Sequence, residues 1–155
     1  MSTNIVLINV ELLGCLSTNT LIILLTPYSV NNNQKIGKFG ENIALRYLLR
    51  RGYIFLAKNH KERFYEFDII VKDRAGILIF VEVKTKISEI STPKNCFSPE
   101  DNLTKAKLRK LIKGTNIFIA KHPWLIDEEK GWQIDLIAVT IIERRRLEIR
   151  HYKNI

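Results

Sequence analysis

The sequence predicts a small mixed α/β layer fold, and three observations carry that prediction. Apolar residues recur at helical spacing over residues 35–51. Two short strand-like stretches, 66–71 and 77–85, flank a turn sequence. A nearly unbroken apolar run, 134–142, follows a second and strongly basic helical stretch.

The composition admits this fold. The chain has 155 residues, 46% hydrophobic and 26% charged, an ordinary globular mixture that excludes a wholly disordered polymer. A chain of this length buries most of the surface it exposes when unfolded, so it needs no disulfide or metal staple. The net charge of +9 favours polyanionic partners. That charge is uneven. Residues 1–34 hold no Lys or Arg and one acid, Glu11, so residues 35–155 carry +10.

This divides the chain into an apolar N-terminal extension, 1–34, and a basic domain, 35–155. The extension lacks the positive start of a secretory signal. Asn9, Glu11 and the 17–20 polar cluster interrupt its apolar runs, which argues against a membrane anchor. It reads as an added strand or a docked extension. Cys15 and Cys96 have no metal-binding or redox spacing, and His60, His122 and His151 are scattered. A reducing, cytoplasmic setting fits that cysteine usage.

The elements follow in order. In the first helix Ile36, Phe39, Ile43 and Tyr47 form the apolar stripe, Asn32 or Asn33 offers a cap, and Gly52 stands where a helix-ending glycine belongs. Residues 53–57 read as a short strand. The 66–71 and 77–85 strands join through a hairpin turn at 72–76. The second helix has Ser98 as its expected cap, Pro99 in its first turn, and Glu100 and Asp101 complementing its dipole. Its apolar stripe includes Leu103, Leu108, Leu111, Ile112 and Phe118, Gly114 weakens its middle, and His122-Pro123 ends it. The 134–142 run suits a strand buried on both faces, and 147–152 turns back as an edge strand.

Chemistry concentrates in the hairpin. Side chains alternate along a strand, so Leu78, Phe80, Glu82, Lys84 and Lys86 share one face. Asp68 shares a face with Glu66 and Ile70, and the turn length sets it opposite or diagonal to Glu82. Two carboxylates at that separation repel unless one is protonated or a cation lies between them. Hard oxygen donors suit Mg²⁺ or Mn²⁺, and a nearby lysine can stabilise charge building up on a phosphate. The same three side chains would equally form a salt-bridged cluster on a half-solvated sheet.

The motifs also carry a resemblance. Gly37-Lys38-Phe39-Gly40-Glu41-Asn42-Ile43-Ala44, Arg50-Arg51-Gly52-Tyr53, Asn59, Glu66-Phe67-Asp68-Ile69-Ile70 and Phe80-Val81-Glu82-Val83-Lys84-Thr85-Lys86 together resemble the YraN-like family. The likeness continues through Pro99, Lys107, Arg109 and Leu111 to Gln133-Ile134-Asp135-Leu136, covering about residues 35–142. That family is a branch of the restriction-endonuclease-like superfamily of PD-(D/E)XK nucleases. The resemblance implies a restriction-endonuclease-like core with a central mixed sheet of four to five strands flanked by helices. It implies a Mg²⁺- or Mn²⁺-dependent endonuclease acting on nucleic acid, DNA in the first place, in repair or recombination and alongside the proteins of those processes. A non-catalytic nucleic-acid-binding module of the same fold is the alternative.

Residue by residue, Asp68 matches the superfamily's metal-binding Asp, Glu82 the acid of the (D/E)XK step and Lys84 its lysine. Glu41 matches the first-helix acid that completes such a site. Glu66 matches a family Gly-Glu pair, with Tyr65 in place of the glycine, and Asp135 matches an acid on the later strand, with a site role and a structural role both open. Lys105, Lys107, Arg109 and Lys110 on the basic helix are expected to meet phosphates, with Lys107 turned toward the acids, or else to form a solvated exterior. Trp124 and Trp132 are expected to pack against the sheet rather than to stack unpaired bases.

Overall fold

A computed structural model describes residues 3–9, 30–88, 103–142 and 146–155. Its order is β1 (Thr3–Asn9), α1 (Val30–Arg50), β2 (Ile54–Lys61), β3 (Glu66–Lys72), β4 (Leu78–Ser88), α2 (Lys105–Lys121), a 3-10 turn at Pro123–Leu125, β5 (Trp132–Ile142) and β6 (Arg146–Tyr152). The strands form one sheet in the order β1-β6-β5-β4-β3-β2. The β4–β5 pair is parallel and all other pairs are antiparallel, so the sheet is mixed.

Two apolar layers cover the two faces. Ile69, Val71, Ile79, Val81, Ile137 and Val139 pack against the Phe39, Ile43, Tyr47 and Leu48 stripe of α1. Phe67, Ile70, Leu78, Phe80 and Ile134 pack against Leu111 and Phe118 of α2. The result is helix, sheet, helix, as the alternating pattern requires. Truncating a side chain as buried as Leu48 or Phe80 to Ala costs about 3 kcal/mol. The parallel register beside β4 explains why β5 reads as a continuous apolar run, because both of its faces are covered.

Several boundaries differ from the sequence expectation. Helix α1 begins at Val30, so Asn32 and Asn33 lie within it and do not cap it. Helix α2 is capped by Thr104, whose hydroxyl accepts from the Lys107 amide at 3.2 Å; Ser98 is not its cap, and residues 98–101 lie outside the described residues. Strand β2 extends to Lys61 because it pairs with the whole of β3. Residues 35–155 supply five strands, β2–β6, as expected, and Thr3–Asn9 of the N-terminal extension adds a sixth beside β6, which is therefore internal rather than at the edge. Gly52 and Gly76 have φ of +83° and +91°, and they end α1 and the β3–β4 turn as expected.

Both helices approach the sheet closely through a glycine. A Cβ on Gly40 would overlap Thr85 Oγ1 on β4, and one on Gly114 would overlap Tyr65 beside β3. Gly114 is thus a contact point of α2 and not merely a weak place in it.

Candidate functional site

Strands β3 and β4 keep register from Lys72↔Leu78 to Ile69↔Val81 and then stop. One further step would set Asp68 opposite Glu82. On its other side β3 pairs at Ile69↔Lys58 and Phe67↔His60, skipping Asp68 and Asn59, and Asn59 has φ +51°. Phe67 and Ile70 both face α2 although they are three residues apart, so the simple alternation of β3 breaks at this same place. Asp68 therefore sits at a local break in the sheet. Its Oδ2 accepts from the Val83 amide at 2.7 Å, a donor that regular pairing would have engaged elsewhere.

Glu82 is only 4% exposed. Lys84 Nζ lies 2.7 Å from its Oε1, and Lys107 Nζ lies 3.2 Å from its Oε2. The buried carboxylate is thus bracketed by two lysines, one from its own strand and one from α2. Lys107 reaches it because the Thr104 cap fixes the first turn of α2 above β4.

Glu41 comes from α1. Its Oε2 is buried without a hydrogen-bond partner and lies 3.6 Å from Lys58 Nζ on β2. Asn42 Oδ1 accepts from that same lysine at 2.5 Å. Burial pushes the Asp68 carboxyl up to about 6, and repulsion from Glu82 and, more weakly, Glu41 adds to this. The Val83 amide and the Lys107 charge oppose the shift without cancelling it. Glu41, Glu82 and Lys107 thus all act on the Asp68 carboxyl, the two acids raising it and the lysine lowering it.

The structure brings Glu41, Asp68, Glu82, Lys84 and Lys107 together, and separates the other candidates. Glu66 is exposed at the start of β3 and pairs with Lys61 at 3.2 Å. Asp135 is fully buried on the α1 side of β5, where it accepts from the Gln133 side chain at 2.8 Å and the Asn154 amide at 3.0 Å. His151 Nε2 lies 2.8 Å from its other oxygen. Glu82 pairs with Leu136 and shares the α2 face with Phe80, so Asp135 belongs to a different polar cluster. Of the basic helix, Lys110 lines a cleft with Lys107, while Arg109 lies on an outer depression with Ile112 and Asn116. Lys105 is exposed in the first turn.

Trp132 packs edge-on to Phe80, as expected, but Trp124 is 72% exposed and touches the His122 ring. The short 3-10 turn after α2 projects Trp124 away from the sheet. Sequence reasoning missed Lys58 and Asn42. A lone Lys58 on a strand and a lone Asn42 on a helix give no signal until the packing of β2 beside α1 brings both to Glu41.

The donor set is oxygen-rich, which is the chemistry Mg²⁺ and Mn²⁺ require. Among the described residues, no three His, Cys, Asp or Glu side chains are gathered as a ready-made metal cage. Mg²⁺ does not demand one, because it ordinarily takes one or two carboxylates together with waters and substrate phosphate. The Glu41 oxygen that lacks a hydrogen bond and the Asp68 carboxyl, raised to about 6 by burial and neighbouring acids, are the groups whose charge a cation would most relieve. Among the described residues, no helix is long and apolar enough to cross a membrane.

Comparison with known proteins places these residues in a lineage. The model of "Uncharacterised protein family UPF0102" matches residues 40–139, a span that runs from Gly40 through the hairpin to β5. A UPF0102 protein of Trichlorobacter lovleyi is 34% identical over 128 residues, covering 83% of this chain and 94% of its own. One of Clostridium botulinum (strain Kyoto) is 40% identical over 109 residues, covering 70% and 82%. One of Ralstonia nicotianae is 34% identical over 103 residues, covering 66% and 75%. With most of both chains aligned and the family model spanning the acidic site, this protein belongs to the family UPF0102.

Proposed function

We propose that this protein is a divalent-metal-dependent nuclease of the PD-(D/E)XK type, hydrolysing phosphodiester bonds in nucleic acid, DNA in the first place. The observation that carries the proposal is a half-buried Asp68 pushed up to about 6 beside the buried Glu82 and the half-buried Glu41, at a break in the sheet and within reach of lysines. Burying several acids together is costly unless a cation relieves them. The third acid, Glu41, has a buried oxygen that meets only a loose ion pair, 3.6 Å from Lys58, and no hydrogen bond, which leaves it room to take a cation.

Asp68, Glu82 and Glu41 are the residues that would hold Mg²⁺ or Mn²⁺. When bound, such an ion supplies Lewis-acid neutralisation of the phosphate and makes water a better nucleophile near neutral pH. The Val83 amide keeps Asp68 aimed at the break in the sheet. Lys84 and Lys107 sit on Glu82 in the resting arrangement and are free to turn toward a phosphate as its charge grows. In hydrolysis the water oxygen bonds to phosphorus, the phosphorus–oxygen ester bond breaks, and the leaving oxygen takes up a proton.

The test is an assay over duplex, single-stranded and branched DNA and RNA with Mg²⁺ or Mn²⁺. Cleavage is expected, and Asp68→Ala and Lys84→Ala are each expected to abolish it. Activity that survives both substitutions would sink the mechanism. Metal titration by calorimetry supplies the second arm. Because the acid must lose its proton to bind a cation, Mn²⁺ affinity is expected to climb as pH rises through about 6 and to lose that rise in Asp68→Asn.

The pairing of both Glu82 oxygens with lysines also favours a second reading, a nucleic-acid-binding module without hydrolysis. It predicts salt-sensitive binding that persists when the acids are removed, and no heat on metal addition.

A further inference from the structure

The β2–β3 connection is a tight four-residue turn. Lys61 pairs with Glu66 across its base, and the Glu62 amide donates to the Tyr65 carbonyl at 2.9 Å. Tyr65 turns inward onto Gly114 of α2. Phe64 turns outward and is 61% exposed. Single exposed apolar residues are common and need no explanation. This one lines a cleft of about 210 Å³ whose opposite wall is Lys107 and Lys110 of α2 and whose near wall includes Lys61 and Arg63.

The acids of the cleft are already neutralised. Glu62 is paired with Lys121 at 2.6 Å, and Glu66 with Lys61 at 3.2 Å. Arg63, Lys107 and Lys110 remain to meet an incoming anion, although Lys107 rests on Glu82. The Arg63 guanidinium lies 5.1 Å from the centre of the Phe64 ring, which pre-arranges a cation beside an aromatic face. Lys107 belongs to both places. It lines the cleft and it touches Glu82. The cleft is therefore continuous with the acidic site through one side chain.

We propose that Phe64 is a stacking platform for an unpaired nucleobase, and that the surrounding cations hold the adjacent phosphates, so that the protein engages single-stranded nucleic acid beside the acidic site. The inference rests on the nucleic-acid part of the function proposed above and not on hydrolysis. An aromatic face interleaved with cations is what single-strand binding requires, because every base has a π-face and stacking tolerates any sequence. A duplex keeps its bases stacked on each other and offers Phe64 none. Trp124 is more exposed, but it follows the C-terminal end of α2, whereas Lys107 lies in the first turn.

The experiment uses the full chain in EDTA, so that cleavage plays no part. Fluorescence anisotropy at fixed low salt follows binding of a single-stranded DNA oligonucleotide, its RNA equivalent and a blunt DNA duplex. Phe64→Ala is expected to weaken single-strand binding about tenfold, within the range for loss of one base–aromatic stack. Duplex binding, thermal stability and the behaviour of Trp124→Ala are expected to be unchanged, and Phe64→Trp is expected to keep or tighten single-strand binding. The DNA and RNA arms show whether the 2′-hydroxyl matters. If Phe64→Ala binds single strands like wild type, or loses duplex binding equally, the stacking site is wrong. If wild type binds no nucleic acid at all, the broader reading falls as well, which separates the two failures.

Discussion

The backbone amide of Val83 donates to Asp68 Oδ2 at 2.7 Å, so the carboxylate of β3 is held by the one backbone donor that lies between Glu82 and Lys84 on β4. That bond stabilises the charged form of Asp68, yet burial and the neighbouring acids outweigh it and raise the group from 3.8 to about 6. The local structure is thus spent on position and not on comfort for the charge.

A stability prediction follows from the sign of that shift. Between pH 3.8 and about 6 the folded chain holds the Asp68 proton more tightly than the unfolded chain does. Stability therefore falls as pH rises through this window. The cost is absent below the unfolded value and complete above about 6, where it amounts to about 3 kcal/mol. Asp68→Asn keeps an acceptor for Val83 and carries no charge. It is expected to be more stable than wild type by about 1–3 kcal/mol near neutral pH and above, with the difference vanishing in acid. Urea denaturation midpoints at the two ends of the window measure it, and a variant no more stable than wild type at the upper end would contradict it.

Glu82 depends on two lysines, and that redundancy has a measurable form. Lys84→Ala or Lys107→Ala alone leaves the buried carboxylate one cation, since each lysine holds a different oxygen. The lysines are 36% and 38% exposed, so solvent screens each pair and each single loss is expected to cost under about 1 kcal/mol. The double variant strands a carboxylate that is 4% exposed and is expected to cost about 2–3 kcal/mol, more than the two single losses together. A double-mutant cycle by chemical denaturation decides this. Strict additivity would mean that water or another group serves Glu82.

Gly40 sets the distance between α1 and β4. Its added Cβ would overlap Thr85 Oγ1, which is itself buried, so Gly40→Ala must push the helix outward. The expected loss is about 2 kcal/mol, typical of overpacking. Because Glu41 is the next residue, its carboxylate should move from Asp68, and the midpoint of the pH-dependent metal affinity should shift as well. Thr85→Ala in the Gly40→Ala background is expected to recover part of the stability. No recovery would place the strain elsewhere.

Asp135 is expected to matter for folding and not for the acidic site. It accepts from Gln133 and the Asn154 amide and meets His151 beside Tyr47, whose ring lies 5.7 Å from the His151 ring. Asp135→Asn replaces a buried carboxylate acceptor of the Gln133 and Asn154 N–H groups by a neutral amide and removes the charge that faces His151, at about 1–3 kcal/mol. Metal-binding heat at low temperature, where the variant remains folded, is expected to match wild type. Loss of that heat with the fold intact would bring Asp135 into the site.

Part of this site was legible because alternation along β4 is regular, whereas β3 breaks it at Asp68, which was expected to share a face with Ile70. Glu82 and Lys84 lie two apart on β4 and had to share a face, and the turn length had to bring Asp68 near Glu82. The sequence left Lys107 either turned toward the acids or on a solvated exterior, and its Nζ lies 3.2 Å from Glu82 Oε2; the helix that carries it is capped by Thr104 and not Ser98. The misplaced cap has a physical cause. Ser, Pro and two acids form a strong local start signal, but local signals do not say where packing against the sheet begins. Lys58, Phe64 and the exposure of Trp124 were not legible, since each depends on register or on a turn that local composition leaves undecided.

The two apolar helix stripes and the same-face acid and lysine of β4 follow from the residues alone, because periodicities of 3.6 and 2 leave little choice of face. Which distant groups meet depends on the packing of the whole chain. The break in β3 at Asp68, the reach of Glu41 from α1, the two lysines on Glu82 and the separation of Asp135 all depend on how the helices cross the sheet. Residues 41, 68, 82 and 107 are far apart along the chain. Their encounter is fixed by close packing at Gly40 and Gly114 and by the ladder of β3 and β4, interactions that no local pattern encodes.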